Sequence, residues 1–313
     1  MGNLDKDQRD DRLQQRTAGP ETPAGPETTA LSDALRLSRV RFVLVETSLS
    51  ANIGAVARAM KTMGLTELVL VRPQQALDAE ALARAAGADD LLARARLCDS
   101  LAEALAGCRL VIGSSARGRS LAWPEVDPAG CAEQLLLEAA QGEVALLLGR
   151  ERSGLTNDEL SHCHFLTRIA TNPDYSSLNI AAAAQVFAYE LRRTALHWQA
   201  TAAPQADGRR QASAAVPATG RGPEQAQVFA AASAAEQDGR GDLATADEMA
   251  SFYSHLEQTL EQIGFADPAQ SSTLRRRLRR LFNRARPDRT ELNILRGILS
   301  AVEGRKRPDR FRR

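Results

Sequence analysis

The sequence predicts an α/β domain on a mostly parallel sheet, followed by a small, basic, all-helical unit. Three observations carry this. Between Val40 and Leu196, apolar runs alternate with stretches of helical spacing, a pattern that sets helices between parallel strands. From His197 to Ala246 the chain turns Ala-, Gln- and Gly-rich with almost no large apolar residues, the composition of a flexible linker. From Arg275 to Arg313 fifteen Arg and Lys stand against four Asp and Glu, a local balance of +11. The rest of the chain carries 25 basic and 35 acidic residues, so the net charge of +1 hides a basic end on an acidic body. That asymmetry points to a polyanionic partner.

The elements follow in order. Residues 1–38, polar and then rich in Pro, Gly, Thr and Glu, cannot bury enough surface to offset ordering entropy, and a disordered tail is expected. The first strand is VRFVLVE from Val40. A small polar loop follows, and Ser50 or Asn52 is placed to cap a helix that includes AVARAMKTMGL, with Gly64 beyond its end. LTELVLVRP is the second strand, closed by Pro73. Ala79–Ala86 is a helix, GADDLL turns towards another, and Ala95–Asp99 is a short strand. Leu101–Ala106 is a helix stopped by Gly107, and CRLVIGSSA is a strand running into a small-residue loop. Residues 130–140 are helical, Val144–Leu148 is a buried strand, an apolar-to-polar change at Ile169 marks a second strand end, and an Ala-rich helix follows the loop Thr171–Asn179. The expected division is therefore 39–196 for the α/β domain, 197–246 for the linker and 247–313 for three short helices. GRKRPDRFRR is a frayed arm.

The 43% apolar content supports a core, and 4% aromatics make it an Ala/Leu/Val core. The cysteines, Cys98, Cys108, Cys131 and Cys163, show no CxxC pair, which suggests reduced thiols rather than a disulfide frame or a zinc site. No apolar run reaches membrane-spanning length and no signal-type core opens the chain, so a soluble, cytoplasmic protein is expected. His162 and His164 lack two further ligands at metal spacing, and no metal is expected.

Four constellations can carry chemistry at the carboxyl ends of the strands, where open α/β sheets bind ligands. Asn52-Ile-Gly-Ala-Val-Ala-Arg58 sets free N–H groups and an arginine fork at a helix start, suited to a phosphate; an N-cap and a surface arginine would look the same. Gly113-Ser-Ser-Ala116 lets a ligand approach the backbone, as an ordinary tight turn also would. Gly149-Arg-Glu-Arg-Ser-Gly154 puts Glu151 at the sheet's mouth, either as a functional carboxylate or as the partner of a neighbouring arginine. In Asn172-Pro-Asp-Tyr-Ser-Ser-Leu-Asn179, Ser177 or Asn179 can cap the next helix, and capping explains only one of them.

N-I-G-A-V-A-R, then L-G-R-E-R-S-G-L, then Y-S-S-L-N-I-A-A-A, in that order, resemble the three motifs of the SpoU branch of the SPOUT RNA methyltransferases. Within it the chain is most similar to the bacterial tRNA 2′-O-ribose methyltransferases, over about Val40–Leu196 and Met249–Glu303, including FYSHLEQTL and LRRLFNRARPDRTELNILRGIL. The resemblance implies transfer of a methyl group from S-adenosylmethionine to the ribose 2′-OH of cytidine or uridine 32 in the tRNA anticodon loop. It also implies a trefoil knot late in the catalytic domain and a homodimer whose sites use both protomers, with Arg58 supplied across the interface. By the same resemblance Ser114, Ser115, Ala116, Gly149, Ile169, Ser176, Ser177 and Leu178 hold the cofactor, and Asn52, Arg58, Glu151, Ser177 and Asn179 form the catalytic group. Arg275, Arg276, Arg279, Arg280, Arg284 and Arg286 are the expected phosphate contacts of a tRNA-binding domain, with no membrane and no DNA partner. The rival readings are a SpoU-type enzyme acting on another tRNA position or on ribosomal RNA, and an RNA-binding protein of this fold without turnover.

Overall fold

The computed structural model describes residues 36–116, 123–202, 242–267 and 272–304. Most of the expected N-terminal tail, most of the linker and the last nine residues lie outside them. So do residues 117–122, which follow the small-residue loop.

Seven parallel strands run β1 (Val40–Val45), β2 (Glu67–Val71), β3 (Arg96–Cys98), β4 (Cys108–Ser114), β5 (Glu125–Val126), β6 (Glu143–Leu148) and β7 (Phe165–Thr167). Their order across the sheet is β3-β2-β1-β6-β4-β7-β5. The central strands β1, β6 and β4 are almost wholly buried, as expected where helices cover both faces of a parallel sheet. The α/β expectation holds. The strand end expected at Ile169 is that of β7, which lies between β4 and β5; the two-residue edge strand β5 was not marked by the sequence pattern.

Helices α1 (Ser50–Thr62), α2 (Ala79–Ala85), α3 (Asp89–Ala93), α4 (Leu101–Leu105), α5 (Pro128–Ala139) and α6 (Asn157–Leu160) fill the crossovers, and α7 (Ile180–Ala202) follows the last strand. Local chemistry sets their ends. Asp78, Ser100 and Asp127 accept backbone N–H groups at the starts of α2, α4 and α5, and Gly64 and Gly107 take positive φ just beyond α1 and α4. The start of α1 departs from expectation. Its N-cap is Leu49, whose side chain caps nothing, and Asn52 lies inside the first turn.

One core cluster packs α1, α2, α5 and α7 against one face of the sheet, with Phe42, Met60, Leu136 and Phe187 at its centre. A second, on the other face, joins Val43, Val69, Val111, Leu147 and Cys163. Gly54 lets α1 and α2 touch, because a Cβ there would meet the Ala81 carbonyl oxygen at 2.0 Å. Two expected boundaries move. Leu37 is 1% exposed and belongs to the core, so the ordered domain starts before residue 39. Helix α7 continues to Ala202, into the stretch expected as linker.

Helices α8 (Ala246–Gln262), α9 (Ser272–Ala285) and α10 (Arg289–Val302) form the small unit. Capping boxes begin α8 and α10, and Phe252, Tyr253, Phe282 and Leu292 make its core. The unit docks on the α/β domain. Asn283, 4% exposed, donates from Nδ2 to the Ser161 and Cys163 carbonyls at 2.8 and 3.3 Å. Arg286 pairs with Glu138, Arg109 with Asp242, and the Gly107 N–H donates to Asp247. His164 Nδ1 accepts the Val111 N–H at 3.1 Å, and burial pushes its pKa down to about 3. All four cysteines are buried as free thiols. No described helix is long and apolar enough to cross a membrane.

Candidate active site

The carboxyl ends of β4 and β6 and the loop after β7 open into one cleft, enclosing about 940 Å³ with its open-solvent side counted. Every residue expected to hold the cofactor lines it: Ser114, Ser115, Ala116, Gly149, Ile169, Ser176, Ser177 and Leu178. Leu148, Ile180 and Ala183 add apolar wall, and Glu151 and Arg152 stand at its charged side.

Gly149 is there for a steric reason. A Cβ on it would lie 2.3 Å from the Gly154 carbonyl carbon and the Leu155 nitrogen, so the turn from 149 to 155 closes only around a residue without a side chain. Arg150 holds that turn shut. Its guanidinium donates to Glu159 through both terminal nitrogens (3.0 and 2.9 Å), to Glu46 at 2.9 Å and to the Gly154 carbonyl at 3.3 Å. Glu46 sits at the end of β1 with φ 48°, a strained value for a residue with a side chain. The salt bridge that sequence reasoning weighed for Glu151 thus belongs to its neighbour.

Glu151 has a different environment. Its Oε1 accepts from Asn52 Nδ2 at 2.9 Å, and its Oε2 accepts from the Ser48 N–H at 3.1 Å and Ser48 Oγ at 2.9 Å. Burial raises its pKa, and the hydrogen bonds from Asn52 and Ser48 outweigh that and leave it below the ordinary carboxylate range. Asn179 Nδ2 donates to Asn52 Oδ1 at 3.0 Å, while its own Oδ1 accepts the Ala181 N–H at 2.8 Å and caps α7. A single directed chain results: Asn179 to Asn52 to Glu151. Because a carboxylate only accepts, it fixes which way each amide faces.

Of the expected catalytic set, Asn52, Glu151 and Asn179 are therefore joined, and Ser177 lines the same cleft. Arg58 stands apart. Six residues along α1 is about 9 Å of rise and two-thirds of a turn from Asn52, and Arg58 is exposed away from that chain. Sequence reasoning missed Ser48, Arg150 and Arg152. Ser48 acts through Glu151, 103 residues distant, and Arg150 joins Glu46, 104 residues away, to the nearer Glu159, pairings that no local pattern marks. Arg152 lines the cleft with no carboxylate partner among the described residues, and its place beside Glu151 in the RERSG turn was the available signal.

Among the expected RNA contacts, Arg286 is committed to Glu138, and Arg279 pairs with Glu257 and lies over the Tyr253 ring. Arg275 reaches Glu257 at 3.9 Å. Arg276, Arg280 and Arg284 have no carboxylate partner among the described residues, nor has the exposed Arg277. No cluster of three potential metal-ligating side chains occurs among the described residues.

Residues 39–189 match the SpoU rRNA methylase family, and residues 247–311 match the C-terminal domain of the tRNA methyltransferase TrmJ. The chain is 46% identical over 273 residues to the tRNA (cytidine/uridine-2′-O-)-methyltransferase TrmJ of Sodalis glossinidius, covering 87% of this chain and 94% of that one. It is 48% identical to the protein of the same name from Salmonella typhimurium, over 85% of this chain and 97% of that one. Among solved structures it is similar to the crystal structure of TrmJ from Z. mobilis ZM4, with TM-score 0.66, 29% identity, and 84% and 98% coverage of the two chains.

Proposed function

Because this chain belongs to the SpoU methylase family, we propose that it is a tRNA 2′-O-methyltransferase that transfers a methyl group from S-adenosylmethionine to the ribose of a cytidine or uridine. The nucleotide we assign is position 32 of the anticodon loop. The observation that carries this reading is the hydrogen-bonded chain Asn179–Asn52–Glu151 at the rim of the small-residue cleft. A binding protein without turnover has no need of three oriented side chains converging there.

The cleft fits the cofactor. Small residues (Ser114, Ser115, Ala116, Gly149, Ser176 and Ser177) leave the backbone approachable, and Leu148, Ile169, Leu178 and Ile180 offer apolar wall for a purine. The tight turn at Gly149 has no room for a side chain. When bound, S-adenosylmethionine supplies an electrophilic methyl group on a sulfonium. What the protein adds is position: transfer needs an aligned 2′-oxygen and the loss of its proton, and alignment supplies much of the rate. Asn52 and Asn179, held rigid by Glu151 and by the cap of α7, orient the ribose, and Ser177 binds beside the cofactor. Glu151, held below the ordinary carboxylate range, is a poor proton acceptor and serves as the anchor of the amide chain.

Arg58, a guanidinium with five donors and no acceptor, grips the substrate phosphate beside the developing alkoxide, the proton leaving to phosphate or water. Its distance from Asn52 around α1 supports a homodimer in which each site receives Arg58 from the other subunit. β7 is laid between β4 and β5 after the chain has already passed through β6, an order that supports the trefoil knot. The helical unit, tied in place through Arg286 and carrying Arg276, Arg280 and Arg284 without carboxylate partners among the described residues, presents tRNA to the cleft through backbone phosphates. A cytoplasmic location accompanies this substrate.

Nucleoside mass spectrometry of tRNA incubated with the enzyme and labelled cofactor tests the assignment. One label on the 2′-oxygen of nucleotide 32 is expected. A label elsewhere in tRNA, or only in ribosomal RNA, would move the target, and none at all would end the enzymatic reading. Arg58→Lys should cut turnover by orders of magnitude with cofactor binding intact; normal turnover would remove Arg58 from the mechanism.

A further inference from the structure

Tyr175 is 82% exposed, more than any other large apolar side chain among the described residues. It lies in the loop from Thr171 to Asn179, immediately before Ser176, Ser177 and Leu178, which line the cleft, but does not line the cleft itself. The loop is nonetheless braced. Thr171 Oγ1 donates to the Ser176 carbonyl at 3.1 Å, the Tyr175 N–H to the Asn172 carbonyl at 3.0 Å, and the Asp174 N–H to Asn172 Oδ1 at 3.0 Å. Pro173 opens its single helical turn. An apolar ring is thus held in water on a preorganised loop, at the rim of a cleft whose lining, among the described residues, contains no aromatic side chain.

Exposing such a ring forgoes its burial energy unless something covers it. A loop nucleotide whose ribose is drawn into a cleft is pulled from its stacking neighbours, and its base is then best served by a new surface. RNA-binding proteins satisfy that need with aromatic faces, and because every base has a π-face such stacking tolerates different bases. We infer that Tyr175 is the platform on which the base of the methylated nucleotide stacks. It rests on the methyltransferase reading above. It also accounts for acceptance of cytidine and uridine alike, since a ring face does not read their differing edges.

The experiment uses the full-length protein and transcribed tRNA. Tyr175→Ala and Tyr175→Leu should raise KM for tRNA roughly ten- to hundredfold, the loss expected for one base–aromatic stack, with cofactor affinity unchanged. Tyr175→Phe and Tyr175→Trp should restore it. A fluorescent cytosine analogue at the methylated position should be quenched on binding to the parent protein and not to Tyr175→Leu. An unchanged KM, or unchanged quenching, overturns the inference. So does a loss that Phe fails to rescue. If Tyr175→Ala instead sediments as a smaller species than the parent, the ring is a subunit contact and the inference falls. Methyl transfer by the parent protein is the independent control: without it the methyltransferase reading fails first, whereas a working parent beside an unaffected variant sinks the stacking role alone.

Discussion

Replacing Glu151 by Gln separates two things a carboxylate can do. In the structure three donors converge on it, the Ser48 N–H, Ser48 Oγ and Asn52 Nδ2. Gln is nearly the same shape. Its amide oxygen can take the Oε1 place, where it still accepts from Asn52 and, at 3.3 Å, from the Ser48 N–H. Its NH2 then occupies the Oε2 place, and the Ser48 hydroxyl can rotate to accept from it. The hydrogen-bond count nearly survives and the charge does not. Hydrogen bonds to a charged group are worth about 1.5–3 kcal/mol against about 0.5–1.5 for neutral ones. Solvent screening of this partly exposed site reduces the difference to about 1–2 kcal/mol for the set. That lowers Tm by roughly 2–8 °C in a protein of this size. If Glu151 is an anchor, Glu151→Gln keeps Asn52 oriented and turnover falls by about tenfold at most, a barrier change near 1.4 kcal/mol. Glu151→Ala leaves Asn52 and Ser48 unpaired and should cost at least about a hundredfold. Both are read by initial rates of labelled methyl transfer, with cofactor affinity by calorimetry as the control. The reasoning is refuted if Glu151→Gln is as inactive as Glu151→Ala, since the charge or a proton-accepting role would then be essential.

Asn179→Asp should keep the cap of α7 yet lose the donor to Asn52, so turnover should fall while Tm holds; Asn179→Ala should lose both, with about 1 kcal/mol of cap stability visible in thermal melts. Gly149→Ala must push the Gly154–Leu155 backbone away from 2.3 Å, and calorimetry should show cofactor binding abolished in a chain that still folds by circular dichroism. Acid should destabilise the fold through two histidines whose pKa values burial lowers to about 4 (His162) and about 3 (His164). The unfolded chain takes up these protons first, so the stability from keeping them neutral is full above about pH 6.5 and is lost as pH falls towards 3–4. Urea melts should show that slope, and His164→Asn should flatten it.

Much of this fold and its cleft was legible in the residue pattern, because the signals are local. Strands β1, β2, β4 and β6 are apolar runs that stay buried whatever packs on them. Gly64 and Gly107 mark helix ends by the positive φ that only they adopt cheaply. The family resemblance singled out eight residues that all line the cleft, four of them (Gly149, Ser176, Ser177 and Leu178) within the three motifs. What the sequence could not decide depends on neighbours far along the chain. β5, of two residues, exists only because β7 is there to pair with. Asn52 has the residue type of a helix cap. It becomes part of the site because Glu151 and Asn179 arrive from 99 and 127 residues away. Arg150 and Glu151 are adjacent and both charged, yet one closes the turn and the other anchors an amide. Which does which is set by Glu46 and Glu159 on one side and Ser48 on the other. Likewise Arg275 to Arg286 is one basic run in sequence, and only tertiary contacts divide it: Arg286 ties the unit to Glu138, Arg279 pairs with Glu257 inside it, and Arg277 and Arg284 stay exposed.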